Sequence, residues 1–280
     1  MKLCDWLWLI GVIGLEQAVD FLKDSRVLYE LMWGRNIRDF KKTTNFKNWT
    51  ISDVFGHLYV FNIASIKTLE SPNEFENFFK PFLAGLQCGK SFLELQKPLI
   101  ENYNDRELFK IWWQSSLDVN KKYLSTDPKL RVSWAGPTMS ARSSITARQM
   151  ETWAHGQEIF DCLGVKREEG DQIKNIVHLG VSTFGWTFIN RRLALPKEVP
   201  YVSLILPSGA PITYNKESNL NFVSGSAVEF AQVVTQTRNI KDTSLKVKGV
   251  VAETWMSLAQ CFAGKAEDPP AKGQRFREVL

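Results

Sequence analysis

Residues 148–155 read RQMETWAH, and they lie in a segment, 143–163, whose pattern predicts a helix that ends before Gly164. Glu151 and His155 are four positions apart, so on this helix their side chains project to one face, about 40° apart around the axis. A carboxylate oxygen and an imidazole nitrogen placed in this way can hold one divalent cation, with a third ligand from a neighbouring helix of a bundle. The alternative is a hydrogen bond between the two side chains on an ordinary helix surface.

The third candidate ligand is His57, because the chain contains only three histidines and His57 lies in another well-defined predicted helix, 52–69. Two imidazoles and one carboxylate, from His57, Glu151 and His155, form the donor set of catalytic zinc sites, in which a further position stays open. Redox iron uses the same donors, so the residue types do not identify the metal. A structural zinc site is disfavoured because it needs four ligands and commonly uses thiolates. The alternative for His57 is a hydrogen-bonded histidine in the core.

The composition is typical of a globular protein. The chain has 280 residues, of which 44% are hydrophobic and 23% charged, which is enough for one large domain or two of ordinary size. The net charge of +5 is small and scattered, so no nucleic-acid partner is predicted. The sequence contains no uncharged apolar run as long as the roughly 18 residues that a membrane-spanning helix requires, so no membrane association is predicted either.

The cysteines and the N-terminus bear on location. The four cysteines, at 4, 88, 162 and 261, are widely spaced, which argues against a disulfide framework and favours a reducing cytoplasm. The apolar run 6–15 follows Lys2 and is either a short targeting segment or, in the second interpretation, the apolar start of the first helix or an extended start codon. Asp5 and the lack of a small-residue cleavage site favour the second interpretation.

Helical periodicity changes to strand-like patterning at Pro196. The predicted helices before this point span 15–33, 52–69, 77–123 with a break near Pro98 and a restart at Asp105, 143–163 and 170–193. The predicted elements after it are strands at 201–206, 212–214, 220–223 and 244–247 and helices at 227–235 and 250–262, followed by a loose tail. The fold class is therefore α+β, with a helical part over 1–195 and a small α+β module over 196–280.

Two motifs resemble those of the mycothiol-dependent maleylpyruvate isomerase family, a branch of the DinB-like metal-binding bundles. Residues 49–58, WTISDVFGHL, are similar to the W-T-x-x-D-x-x-x-H-L signature that opens the second helix of that family, and 151–161 are similar to its E-x-x-x-H-x-x-D/E signature. The segment from Thr237 to Gly249 looks like part of the family's C-terminal module. The greatest likeness is to a subgroup known only as metal-binding proteins, whose pattern includes the runs 134–137, 139–142 and 178–181.

The resemblance implies an N-terminal DinB-like four-helix bundle and a small C-terminal α+β module that is similar to a sterol carrier protein. It implies that His57, Glu151 and His155 bind Zn²⁺ or another divalent metal. It also implies a low-molecular-weight thiol as a cofactor and a small-molecule, anionic substrate. Arg238 matches a catalytic arginine that reaches this substrate, since a guanidinium binds carboxylates bidentately; its alternative is an exposed arginine at a helix end.

Three polar residues near these motifs have more than one interpretation. Asp53 either orients His57 through its non-ligating nitrogen or stabilises the N-terminus of its own helix. Arg148 pairs with Glu151 or meets an anionic substrate, although the pattern favours a solvated helix arginine. Glu158 is either a base close to the metal or a surface charge.

Four further residues have a core alternative. His178 is favoured as a buried, hydrogen-bonded histidine over a fourth ligand. Three tryptophans are candidates for lining a pocket, with core packing as the default: Trp134, Trp153 and Trp186.

The function implied is a thiol-dependent isomerase or transferase in which an activated thiol adds to a double bond. Two alternatives remain open at this point. One is a metal-dependent hydrolase that activates water, and the other is a non-catalytic protein that binds a metal or a small ligand. The sequence does not predict an oligomeric state.

Overall fold

The computed structural model describes residues 14–134, 136 and 138–275. Residues 6–13 of the apolar run 6–15 and part of the run 134–137 therefore fall outside the described residues. The helices are α1 (Glu16–Met32), α2 (Ile37–Phe40), α3 (Ile51–Glu70), α4 (Pro72–Gln87), α5 (Phe92–Ile100), α6 (Asp105–Leu124), α7 (Ala141–Cys162), α8 (Lys174–Ser182), α9 (Phe184–Asn190), α10 (Ala227–Val234) and α11 (Val250–Leu258). The strands are β1 (Arg131–Val132), β2 (Met139–Ser140), β3 (Tyr201–Ile205), β4 (Pro211–Tyr214), β5 (Phe222–Ser226) and β6 (Lys246–Lys248).

Side-chain caps determine where the helices of the first part begin. Asn104 accepts from the backbone at the start of α6, which confirms the predicted restart at Asp105. The predicted start of the helix 77–123 is wrong, because Pro72 begins α4 behind the cap residue Ser71. Proline suits the first turn of a helix, where its missing N–H would have no partner. The start of this helix was therefore predicted five residues too late.

Four long helices, α1, α3, α6 and α7, pack against one another. Each contributes large apolar side chains to one shared cluster, to which Leu28, Phe55, Trp112 and Ile159 belong. Burial of such side chains is the main stabilising contribution in this part of the chain. The arrangement places α3 and α7, which carry the candidate ligands, next to each other.

The second part is built on a four-stranded sheet in the order β4-β3-β5-β6. Strands β3 and β5 are parallel, and the two outer pairs are antiparallel. The apolar core under this sheet extends into the helices that precede residue 195: Trp153 of α7 and Phe184 of α9 belong to the same cluster as Leu204, Phe230 and Trp255. The architecture is thus α+β, as predicted, and the helical and mixed parts share side-chain packing.

Two local predictions differ from the structure. The predicted helix 170–193 is a 3-10 turn followed by α8 and α9, which are separated at Thr183. The prediction of a loose tail is wrong for 265–275, because Gln236 donates to the carbonyl of Glu267 at 2.9 Å and Asn239 to that of Pro270 at 2.8 Å. Residues 276–280 fall outside the described part of the chain. No helix within the described residues is both long and apolar enough to cross a bilayer.

Candidate metal centre

Helices α3 and α7 bring His57, Glu151 and His155 together. One potential ligand atom from each lies within 4.8 Å of the other two. Oε2 of Glu151 is 3.3 Å from Nε2 of His155 and 3.6 Å from Nε2 of His57. The two imidazoles thus converge on one carboxylate oxygen from two helices. The four-residue spacing of Glu151 and His155 predicts their shared face of α7, and His57 joins them from α3.

The separations suit a tetrahedral metal ion. Two ligand atoms that each lie 2.0–2.1 Å from a zinc ion at the tetrahedral angle are about 3.4 Å apart. The two measured separations, 3.3 and 3.6 Å, lie on either side of this value. The donor set of two nitrogens and one oxygen also matches that of zinc sites with an open position. The residues present therefore fit a divalent ion.

The protonation states favour metal binding as well. Burial raises the pKa of Glu151, but the adjoining imidazoles of His155 and His57 outweigh burial, so the pKa lies below its usual range. Burial lowers the pKa of His57 to about 4, against the opposing influence of Glu151. At neutral pH the carboxylate is ionised and His57 is neutral, and these are the forms that bind metal ions.

Aromatic rings enclose the two histidines. The indole of Trp49 lies parallel to the His155 ring, with centroids 6.0 Å apart and 3° between the planes, and Phe46 meets the same ring edge-on at 4.9 Å. Phe61 packs against His57 at 4.6 Å. The Glu151 side chain keeps 27% of its surface exposed, whereas those of His57 and His155 keep 8% and 11%. The site therefore opens to solvent on the Glu151 side.

The ring positions depend on the loop that precedes α3. Thr43 pairs with Thr50 as an isolated antiparallel bridge, and the Thr44 hydroxyl donates to the carbonyl of Trp49 at 2.9 Å. Lys47 and Asn48, at the tip, have left-handed backbones with φ of 49° and 58°. Non-glycine residues adopt this conformation at a cost, which surrounding contacts must outweigh. The loop is thus held in the shape that directs Phe46 and Trp49 at the histidines.

Arg238 is engaged by a carboxylate of α7. Its Nη1 and Nη2 donate to Oδ2 and Oδ1 of Asp161 at 2.6 and 2.8 Å, and Arg238 is buried. The alternative of an exposed arginine is therefore wrong. A contact between Arg238 and a substrate stays a prediction.

The structure shows a capping role for Asp53 and excludes one stated alternative for each of Arg148 and Glu158. Oδ2 of Asp53 accepts from the backbone N–H of Thr50 at 2.8 Å, so Asp53 stabilises the start of α3. Nδ1 of His57 is buried and has no hydrogen-bond partner among the described residues. Arg148 is not solvated, since only 1% of it is exposed. Glu158 is not a surface charge either: it is buried and pairs with Arg275 at 3.2 Å.

The remaining candidates lie away from the three ligands. His178 is exposed on α8, so the expectation of a buried histidine is wrong. Trp134 packs on Phe61 and Phe75, and Trp153 is buried with its indole N–H donating to Glu169 at 2.9 Å. Trp186 is 37% exposed, and its indole donates to the carbonyl of Phe262. Trp134 is the one of these tryptophans whose neighbour, Phe61, also contacts His57.

Two features of the site have no clear signal in the sequence. One is the ring of Phe46, because its contact with His155 depends on a loop conformation that the residue types do not predict. The other is Arg275, whose guanidinium packs 5.0 Å from the Phe46 ring and pairs with Glu158 from 117 positions away. Contacts between residues so far apart in the chain produce no periodic pattern in the sequence.

Comparisons with known proteins agree with this architecture. Residues 35–160 match the family described as the mycothiol maleylpyruvate isomerase N-terminal domain. Two uncharacterised proteins from Mycobacterium tuberculosis, strains CDC 1551 / Oshkosh and ATCC 25618 / H37Rv, are each 31% identical over 226 residues, which cover 81% of this chain and 85% of theirs.

The fold is also similar to that of a solved enzyme. The crystal structures of the mycothiol-dependent maleylpyruvate isomerase and of a histidine-to-alanine mutant of it align with a TM-score of 0.50 over 78% of this chain and 87% of theirs. The sequence identity is 15%, so this likeness concerns the fold alone. The family match over 35–160 and the 31% identical relatives show that the chain belongs to the mycothiol maleylpyruvate isomerase family.

Proposed function

We propose that this protein binds a divalent metal ion, zinc in the first instance, through His57, Glu151 and His155. The observation that carries the proposal is the convergence of two imidazole nitrogens on one carboxylate oxygen, at 3.3 and 3.6 Å. Three protein donors leave a coordination position for a guest molecule. The exposed edge of Glu151 marks the side from which the guest would enter.

We propose further that the protein is a thiol-dependent isomerase or transferase that acts on a small anionic substrate. A divalent ion in this site would favour the thiolate form of a small thiol, which is the nucleophile in additions to activated double bonds. Release of the thiol after rotation about the resulting single bond gives an isomer, and retention of the adduct gives a transferase. The side chains of His57, Glu151 and His155 would hold the ion, and the rings of Phe46, Trp49 and Phe61 would limit the access of water to it.

The thiol would come from outside the chain. Burial raises the pKa of the Cys261 thiol, so it is a poor nucleophile at neutral pH. Cys88 is exposed at the end of α4, beyond the helices that carry the ligands. The solved relative, a mycothiol-dependent maleylpyruvate isomerase, supplies the first pair to test, with maleylpyruvate as substrate and mycothiol as thiol.

Turnover of maleylpyruvate by the zinc-loaded protein, with and without mycothiol, tests this function. The proposal expects a rate that requires both the thiol and an intact His57, with the His57→Ala variant as the control for adventitious metal. A rate that is indifferent to thiol would contradict the proposal and support a hydrolase. Binding of both compounds without turnover would support a non-catalytic protein.

Arg238 is proposed to act in the same reaction. The Arg238→Gln variant separates this role from its pairing with Asp161, which Asp161→Asn disrupts without removing the guanidinium. Loss of turnover in the first variant at temperatures where both are folded would support a contact with the substrate. Equal turnover in the two folded variants would limit Arg238 to stabilising the fold.

The finer architecture is proposed on the same basis. We propose that α1, α3, α6 and α7 form a DinB-like four-helix bundle within 1–195, and that 196–280 form a module similar to a sterol carrier protein in a cytoplasmic enzyme. The pairwise packing of the four helices and the mixed sheet support this assignment. Because side chains on both sides of residue 195 share one core, calorimetry should detect a single unfolding transition. Two separate transitions would contradict this packing.

A further inference from the structure

Arg148 is a buried arginine at a fixed position on α7. Only 1% of it is exposed. Its Nη2 donates to the carbonyl oxygen of Leu58 at 3.3 Å and to Oδ1 of Asn62 at 3.0 Å, both on α3. Asn62 in turn donates to two serine hydroxyls of α6. The guanidinium is therefore held among three helices, and its orientation does not depend on a ligand.

Arg148 differs from the other buried arginines in lacking an anionic partner. Among the described residues the buried arginines are Arg148, Arg167 and Arg238. Arg238 is bonded to Asp161, and Arg167 lies 3.5 Å from Asp24. Within the same part of the chain, no carboxylate oxygen lies within 4.0 Å of Arg148, and its Nε and Nη1 have no hydrogen-bond partner. A guanidinium keeps its proton inside proteins, so Arg148 is a buried charge without a direct ion pair, which is costly.

Arg148 lies beside the metal centre. It precedes Glu151 by three positions on α7, and its Nη2 donates to the carbonyl oxygen of Leu58, the residue after His57 on α3. Burial lowers the pKa of Arg148 to about 10, and the negative charge of Glu151 is the first influence that opposes burial. The ring of Phe61 connects the two groups, since its centre is 6.0 Å from the guanidinium carbon and 4.6 Å from the His57 ring.

The charges of the chain at this site therefore sum to zero. The carboxylate of Glu151 contributes −1, the guanidinium of Arg148 contributes +1, and imidazoles that bind metal ions are neutral. A site with a divalent ion, two neutral imidazoles and one carboxylate would have a net charge of +1. When the guanidinium of Arg148 is included, the net charge of the loaded site would be +2. The aromatic surroundings make such a difference larger than it would be in water.

We propose that Arg148 offsets the charge of Glu151, so that the metal-loaded site selects anionic guests, thiolates and carboxylates, over neutral ones. The inference rests on the proposed metal site and adds the residue that determines which class of ligand the site accepts. Arg148 acts through the field at the ion and needs no direct contact with the guest. Its role is therefore specificity, and the sign of its effect on metal affinity distinguishes this role from a structural one.

The test uses the full chain loaded with Co²⁺, whose visible absorption reports on ligands that join the site. Metal affinity is measured by competition with a chromophoric chelator, and guest affinity by titration with acetate and with imidazole at pH 8, where free imidazole is neutral. In Arg148→Met we expect Co²⁺ to bind as tightly as in the parent or about tenfold more tightly, because a repelling charge is gone. Acetate affinity should fall about tenfold, while imidazole affinity changes little.

Two further variants keep the test decisive if Arg148→Met does not fold. Arg148→Lys retains the charge and should keep the preference for acetate. Asn62→Asp places a carboxylate beside the guanidinium of Arg148, which is itself retained, and this variant should lose the preference for acetate over imidazole. Equal losses of metal, acetate and imidazole affinity in Arg148→Met, or an unchanged acetate preference in both Arg148→Met and Asn62→Asp, would overturn the inference. A parent chain that fails to bind Co²⁺ at all would instead contradict the metal site and the inference together.

Discussion

Helix α7 contributes to two groups of polar side chains that differ in how their atoms are paired. In the metal centre, Glu151 and His155 meet His57, and the three donor atoms face one another. The second group, here called the charge cluster, begins one turn later and comprises Glu158, Asp161, Arg238 and Arg275. In the charge cluster each carboxylate meets a guanidinium, with Asp161 and Arg238 joined by two hydrogen bonds and Glu158 lying 3.2 Å from Arg275.

The difference teaches that burial alone does not identify a ligand site. A carboxylate that already faces a guanidinium has its charge balanced and contributes to the fold. Electron-rich atoms that converge without a cation repel each other unless a proton or a metal ion lies between them. Within the described residues, no lysine or arginine nitrogen lies within 4.0 Å of Glu151. In this part of the chain the carboxylate of the metal centre therefore has no lysine or arginine partner, as in a binding site, whereas the carboxylates of the charge cluster already face guanidinium groups, as in a structural contact.

The largest effect is expected from breaking the charge cluster at Asp161. Asp161→Ala leaves the guanidinium of Arg238 buried beside a removed partner, and loss of one member of a buried pair destabilises a protein by about 3–5 kcal/mol. Chemical denaturation of the metal-free variant measures this loss. The zinc content per folded molecule should not change, because Asp161 is not a ligand. A loss below about 1 kcal/mol, or a parallel loss of zinc, would contradict the division between the two groups.

A smaller, pH-dependent effect is expected at Glu158. Burial raises the pKa of Glu158 from 4.5 to about 7, against the opposing charge of Arg275. Because the folded-state pKa is the higher one, the native state gains stability from the protonated form, and this gain is lost as the pH rises from 4.5 through about 7. Glu158→Gln is neutral throughout. The difference in free energy of unfolding between Glu158→Gln and the parent should therefore change by about 2–3 kcal/mol in favour of the variant as the pH rises from 5 to 8.

Denaturation of both metal-free proteins at the two pH values checks this prediction. Asp24 has a pKa that burial raises to about 6, but it is common to both proteins and cancels in the difference. A constant difference between parent and variant across this range would show that Glu158 is ionised at both values, and would contradict the buried environment described for it.

The smallest effect concerns the aromatic enclosure of the metal centre. Trp49→Leu keeps an apolar side chain but removes the ring that lies parallel to His155. Aromatic contacts of this kind contribute about 0.5–1.5 kcal/mol, so zinc should bind roughly 2- to 10-fold more weakly. Trp113→Leu is the matched control, since Trp113 stacks on Tyr29 and has no contact with the three ligands. Equal weakening in both variants would attribute the effect to the fold.

The sequence was sufficient to predict the parts of the molecule that depend on local spacing. The four-residue interval between Glu151 and His155 places both on one face of a helix, and the scarcity of histidines points to His57 as the neighbour. Most helices and strands follow from periodicity and from caps such as Asn104. The resemblance to a known family added the pairing of the two helices, which spacing within one helix cannot supply.

The sequence was not sufficient where a property depends on packing between distant residues. The burial of Arg148 cannot be inferred from its place one turn before Glu151, because an exposed helix arginine has the same spacing. The order of 265–275 depends on contacts with Gln236 and Glu158 that are far away in the chain. The loop that positions Phe46 has a left-handed backbone conformation at Lys47, where no glycine in the sequence indicates it.

The zinc content of matched histidine variants tests the central claim most directly. The metal-free chain is equilibrated with Zn²⁺, dialysed and analysed for zinc per chain, alongside His155→Ala and His178→Ala. The second variant removes an exposed histidine of α8 and controls for loose binding at imidazoles. We expect one zinc per chain in the parent and in His178→Ala, and almost none in His155→Ala while it remains folded. Equal zinc in the two variants, or no zinc in the parent, would contradict the metal centre.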